Sequence, residues 1–123
     1  MKTSILSLVT ALLFAVSALA AETPPASHDV ATKLVSAIAS DNYAAFVMDG
    51  NAAFQALKKD QFESVVSQLG SKLKSGYDLT YLGDLNQRGY QVTLWRIRFN
   101  NGGDDLLATL SMKDGKVGGF WLK

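Results

Sequence analysis

Residues 76–122 read GYDLTYLGDLNQRGYQVTLWRIRFNNGGDDLLATLSMKDGKVGGFWL, and the reading of this stretch decides the fold. Tyr77, Leu79 and Tyr81 alternate with Asp78 and Thr80, the period of two that a half-buried strand requires. Asn86-Gln87-Arg88-Gly89 is a turn, and Tyr90 to Phe99 is rich in β-branched and aromatic residues. Asn100-Asn101-Gly102-Gly103 then reverses the chain. Leu106, Ala108, Leu110 and Met112 share one side of a third strand. Asp114-Gly115 is a two-residue hairpin signal, because both of its residues tolerate a left-handed backbone, and Val117 to Leu122 completes a fourth strand. Consecutive strands joined by short turns make an antiparallel meander.

The second strand breaks its own alternation. Tyr90, Val92 and Leu94 share a face that Arg96 and Arg98 continue, whereas Trp95, Ile97 and Phe99 lie on the other. A bulge or strong bend near Leu94-Trp95 would produce this pattern, as would burial of one end of the strand on both faces.

Upstream, the period changes to that of helices. Ser27 is placed to cap a helix from His28 to about Ser40, with Asp29 in its first turn and Val30, Leu34, Ala37 and Ile38 as its apolar stripe. Asp41-Asn42 ends it and starts a short segment from Tyr43 to Met48. Asp49-Gly50-Asn51 is a turn before a brief helical piece over Ala52–Leu57. Asp60-Gln61-Phe62-Glu63 has capping-box spacing, and Phe62, Val65, Val66, Leu69 and Leu73 give the next helix one apolar face. Gly70 inside that run costs about 1 kcal/mol relative to alanine and weakens the last turn, and Ser75-Gly76 ends the helix. Helices first and antiparallel strands afterwards define an α+β protein: N-terminal helices packed on a curved four-stranded sheet.

The N-terminus is a different object. Met1-Lys2 is basic, Ile5 to Val16 is apolar apart from Ser7 and Thr10, and Ser17-Ala18-Leu19-Ala20 supplies small residues at −3 and −1. This is the order of a secretory signal peptide cleaved after Ala20. The run is shorter than the roughly 20 apolar residues of a membrane span and leads into Ala21-Glu22-Thr23-Pro24-Pro25. The expected organisation is therefore a signal peptide (1–20), a linker (21–27) and one domain (28–123). The absence of cysteine excludes a lipid-modified cysteine anchor and thiolate metal sites, so the expected product is free in the periplasm or secreted. Lys2 leaves with the leader, so eleven basic residues face eleven acidic ones in the remaining 103. That balance argues against nucleic acid or an anionic membrane as partner. Lys58-Lys59, Lys72/Lys74 and Arg96/Arg98 read as solvated faces.

The chain is poor in catalytic material. His28 is the sole histidine and sits at the edge of the linker, so neither a histidine metal site nor a Cys/His nucleophile pair can be assembled. The glycines near residues 115–119 belong to a hairpin and strand rather than a phosphate loop, and no cofactor is implied. Asp41, Asp49, Asp60, Asp84, Asp104, Asp105 and Asp114 lie at caps and turns, where aspartate serves local backbone geometry. Asp78 points outward if Tyr77 and Leu79 face the core.

The stretch Ile38-Ala39-Ser40-Asp41-Asn42-Tyr43-Ala44-Ala45-Phe46 resembles the helix, short break and D-Y segment of small exported domains of the nuclear transport factor 2-like (cystatin-like) superfamily. The capped helix with Leu69-Gly70 near its end is similar, as is the closing Asp114-Gly115-Lys116-Val117-Gly118-Gly119-Phe120-Trp121. The likeness covers nearly all of residues 28–123 and is closest to uncharacterised bacterial secreted and lipoprotein families. It implies a cone, with helices in the concave face of a curved sheet, in a superfamily that hosts isomerases, dehydratases and transport factors. A cone of this kind leaves room for a pocket lined by Tyr43, Phe46, Phe54, Tyr81, Tyr90, Trp95 and Trp121, with Arg96, the tyrosine hydroxyls and the indole N–H groups as polar handles. The outer sheet face, through Arg96 and Arg98, is a candidate surface for a protein partner or a homodimer.

The leading expectation is an exported, non-enzymatic domain that binds a small apolar ligand or a protein partner. A small isomerase or lyase using a buried Asp and Tyr is the alternative, and it requires a carboxylate deep in a pocket. A structural subunit of an envelope assembly is a third reading.

Overall fold

The computed structural model describes residues 27–123, so the signal-peptide reading and nearly all of the linker lie outside the described residues. Among the described residues, four helices come first: α1 (Ser27–Ala39), α2 (Tyr43–Val47), α3 (Ala52–Gln55) and α4 (Lys59–Lys74). Four strands follow: β1 (Tyr77–Gln87), β2 (Tyr90–Phe99), β3 (Leu106–Lys113) and β4 (Lys116–Leu122). They pair antiparallel in chain order, β1-β2-β3-β4, and the fold is α+β as its periodicities require.

The helical boundaries follow local hydrogen bonding. Asn42 caps α2 by accepting from the Ala45 N–H at 3.0 Å, and Asn51 caps α3 by accepting from the Phe54 N–H at 2.9 Å. Both short helices stop sooner than their composition suggests, at Val47 and Gln55. The Tyr43 hydroxyl donates to the Leu57 carbonyl, which ties the end of the α3 segment to the start of α2. The capping box at Asp60 does not form. Extended Lys58 is the N-cap of α4 and makes no side-chain cap, so Asp60 lies inside the first turn, where its charge complements the helix dipole. Glu63 is instead drawn beside Asp41. α4 runs through Gly70 without a break.

Helices α1 and α4 pack side by side over one face of the sheet. Ala31, Leu34, Val35 and Ile38 of α1 are buried, as are Phe62 and Leu73 of α4. The inner sheet face meets them with Leu79, Tyr81, Trp95, Ile97, Phe99, Ala108, Leu110 and Val117. Trp95 is the centre of this layer. It is fully buried, its ring centroid lies 5.1 Å from Tyr81 and 5.6 Å from His28, and its indole N–H donates to the Thr93 hydroxyl at 2.9 Å.

Of the two causes expected for the pattern of β2, a bulge within the strand is absent and burial on both faces at one end is present. β2 itself is regular, and the extra residue is Leu82 of its partner: Tyr81 pairs with Trp95 and Gly83 with Leu94. The bulge sits at the expected level but in β1, where Gly83 (φ 148°) accepts a backbone that a side chain would strain. The other cause holds at the start of β2, where the adjacent residues Val92 and Thr93 are both buried. A second irregularity, at Gly118, shifts the β3–β4 register between Ser111 and Met112. The Asp114-Gly115 turn is left-handed at both residues, φ 53° and 77°, as its sequence demands.

Replacement of Trp95 by Phe removes the indole hydrogen bond and leaves a void in the core. The expected loss is about 2 kcal/mol in urea unfolding with an unchanged slope. Trp121→Phe, at an exposed position, is expected to move stability by no more than about 0.5 kcal/mol.

Candidate functional site

The helical layer does not cover the whole inner face. Between α4 and the last strand runs an apolar groove of about 470 Å³. Its floor and walls are Ile38, Phe46, Phe54, Leu57, Phe62, Val65, Leu69, Phe120 and Leu122, and Gln61, Ser64, Gln68 and Trp121 form its rim. Among the described residues, no carboxylate, lysine, arginine or histidine lines it.

Each wall has a local cause. The Asn51 cap fixes the entry angle of α3, and Gly50 lets the Phe54 side chain fold against the backbone, since a Cβ there would lie 2.8 Å from the Phe54 Cβ. Phe46 joins the walls, its ring centroid lying 5.3 Å from Phe54, 5.0 Å from Phe62 and 6.3 Å from Phe120. Such tilted and edge-on pairs add roughly 0.5–1.5 kcal/mol each beyond area burial. Val117 holds the strand side in place. Its N–H donates to Asp49 O at 2.9 Å and its carbonyl accepts from the Asn51 N–H at 2.8 Å.

The aromatic set expected to line one pocket is divided among three environments. Phe46 and Phe54 line the groove, and Trp121 stands at its rim. Tyr43 and Tyr81 pack at the margin of the core and Trp95 at its centre, where its N–H is already used by Thr93 and offers no handle to a ligand. Tyr90 and Arg96 belong to the outer face by strand alternation, with Arg96 opposite Thr80 and Leu107. Tyr90 lines a separate outer hollow of about 550 Å³ with Gln87, Arg88, Val92, Thr109, Ser111 and Trp121. The Trp121 ring lies back over Gly119, and only a residue without a Cβ leaves room for it. Phe62, Val65, Leu69, Phe120 and Leu122 complete the groove although their sequence periodicity marked them as core or as plain strand. That one margin of the α4 stripe is left uncovered is a fact of packing, which no local spacing records.

The charges lie elsewhere. Lys33 and Asp49 form an ion pair at 3.0 Å, and Arg98 and Asp105 one at 3.2 Å. The Arg98 hydrogen bond pulls the Asp105 carboxyl below the usual range, and the same bond raises Arg98. Burial raises the Tyr77 and Tyr81 hydroxyls. Glu63 is pushed up, first by its hydrogen bond with Asp41 and then by desolvation. Among the described residues, no three His, Cys or carboxylate side chains are grouped to hold a metal ion.

No family model matches the chain, and no curated protein matches it. Among solved structures it is similar to a nuclear transport factor 2-like protein of unknown function from Cytophaga hutchinsonii, at 9% identity over 83% of this chain and 92% of that one, with a TM-score of 0.39.

The Glu63–Asp41 contact makes a signed prediction. A carboxyl whose pKa is higher in the folded state keeps its proton longer there, so its contribution to stability is present at low pH and is lost as pH rises through the carboxylate range. Glu63→Gln is therefore expected to raise Tm at pH 7. The difference from the unmodified protein should close below about pH 4, checked by thermal melts across pH.

Proposed function

We propose that this chain is an exported, non-catalytic binding domain whose groove between α4 and β4 holds the apolar part of a small ligand. The observation that carries this reading is the groove's lining: aromatic and aliphatic walls, an open mouth, and neutral amide and hydroxyl groups at the rim. Small-molecule sites are typically of this size and character, with a few polar groups that orient the ligand. An isomerase or lyase would need a proton-transfer group against its substrate, and the groove's own polar side chains are Gln61, Ser64 and Gln68, none of which titrates near neutrality. The absence of lining charge also fits a neutral or apolar ligand body rather than an anion.

A second reading is a protein partner on the outer sheet face, and the exposure of Leu82, Leu85, Leu107 and Trp121 favours it. A scatter of single exposed apolar residues is ordinary, but these four lie on three strands, β1, β3 and β4, of one sheet.

A fluorescent anilinonaphthalene dye is expected to bind the purified protein, and Leu69→Arg should weaken it by about tenfold or more by placing a charge against the apolar wall. Unchanged dye affinity in a folded Leu69→Arg protein would remove the groove as the site. For export, mass spectrometry of protein recovered outside the cytoplasm is expected to give a chain beginning at Ala21. A chain retaining residues 1–20 would overturn that part of the proposal.

A further inference from the structure

The edge of the sheet beside the groove is half covered, and the uncovered half has a definite hydrogen-bonding pattern. Leu107 and Lys123 exchange both backbone bonds at 3.0 Å, and the register continues through Thr109 with Trp121 and Ser111 with Gly119. Bonded pairs alternate along an antiparallel ladder, so Phe120 and Leu122 turn their N–H and C=O groups away from β3. Val117 faces the same way and is satisfied by Asp49 and Asn51. Among the described residues, Phe120 and Leu122 have no such backbone partner.

We propose that this open edge pairs with the same edge of a second copy, antiparallel about a two-fold axis through Trp121, to make one eight-stranded sheet. Two outward-facing residues spaced two apart are self-complementary. Phe120 of one copy meets Leu122 of the other, twice, giving four backbone hydrogen bonds. The axis brings the two Trp121 residues together as a non-hydrogen-bonded pair, the closest side-chain approach in an antiparallel ladder, on the outer face where Trp121 is 57% exposed.

Charge agrees with this occupant. Gly118–Leu122 carries no charge, and the two-fold register sets Lys123 opposite Gly119 of the other copy rather than opposite another cation. Asp49–Asn51 of the same chain already pairs with the first part of this edge, so the second copy takes the part that follows. The opposite edge of the sheet is protected by contrast: β1 carries Asp78, Asp84 and the Leu82 bulge. β4 has a bulge of its own at Gly118, but beyond it, from Gly119 to Leu122, it carries neither proline nor charge to oppose pairing. A stable interface takes about 800 Å² from each partner, and a three-residue edge with one tryptophan buries less, so the dimer is a reversible one that forms at micromolar or higher concentration.

The chain contains no cysteine, so Trp121→Cys creates a single thiol at the axis. Cα atoms of a non-hydrogen-bonded pair lie about 4.5 Å apart, within disulfide reach. Mild oxidation of purified Trp121→Cys is expected to give a covalent dimer, with Leu85→Cys on the sheet face and Gly102→Cys in a loop giving little. Leu122→Pro removes an outward N–H, two of the four bonds in the dimer, and no ladder bond to β3, while also trimming a side chain of the groove wall. It is expected to weaken self-association of the cysteine-free protein in sedimentation by about tenfold or more while the thermal melt stays cooperative. Three results would overturn the proposal: cross-linking of Trp121→Cys no greater than that of the controls, a wild-type protein that stays monomeric at about 500 µM, or a dimer that cross-links through Leu85→Cys instead. If Leu122→Pro does not fold, the cysteine comparison decides alone.

Discussion

The two hydrogen bonds between Val117 and the Asp49–Asn51 segment are the constraint on which the groove side of this molecule depends. They join the short helices to the last strand across a long stretch of sequence. Helices of five and four residues are far too short to be stable alone, and these bonds tie α2 and α3 to the strand alongside the Tyr43–Leu57 bond and the burial of Phe46 and Phe54. With them, Phe46 and Phe54 are held against Phe120 and the groove acquires a wall. The same contact ends at Gly118, where the strand bulges, and leaves the rest of the edge open. Groove and open edge are thus two consequences of one short bridge.

The remainder of the fold is organised around burial. Trp95 fills the space between β2 and α1, and its one polar atom is satisfied within its own strand by Thr93. This matters because an unmade hydrogen bond at a fully buried indole would cost about 1–3 kcal/mol. α4 is treated differently along its width. One margin of its apolar stripe is sealed against α1, and the other, through Val65 and Leu69, stays partly exposed above β4. Apolar surface left uncovered in this way is a standing cost of the free protein that a ligand body can recover by excluding water.

Charge plays a supporting role. The ion pairs Lys33–Asp49 and Arg98–Asp105 lie at the periphery, are partly exposed, and contribute little stability individually. Lys33–Asp49 nevertheless ties α1 to the segment that bridges to Val117, so it helps to position the groove. The Glu63–Asp41 contact works against stability at neutral pH. It arises because α4 begins at Lys59 rather than after Asp60, which directs Glu63 away from the cap it would otherwise have completed.

The sequence by itself determined the elements whose signals are local. The strand alternation of residues 77–122, the left-handed Asp114-Gly115 turn, the breaks at Asp41-Asn42 and Asp49-Gly50-Asn51 and the apolar stripes of α1 and α4 all follow from bonds and spacings within a few residues, and the α+β order follows from them. The tertiary structure alone decided which strand carried the extra residue: Leu82 of β1, whose neighbour Gly83 tolerates the turn more readily than any residue of β2. It also decided that Trp95 is sealed in the core while Phe62, Val65, Leu69 and Phe120 face a groove. A periodic pattern says that a face is apolar, but what covers that face depends on a segment far away in sequence and on how much of it a four-residue helix can reach.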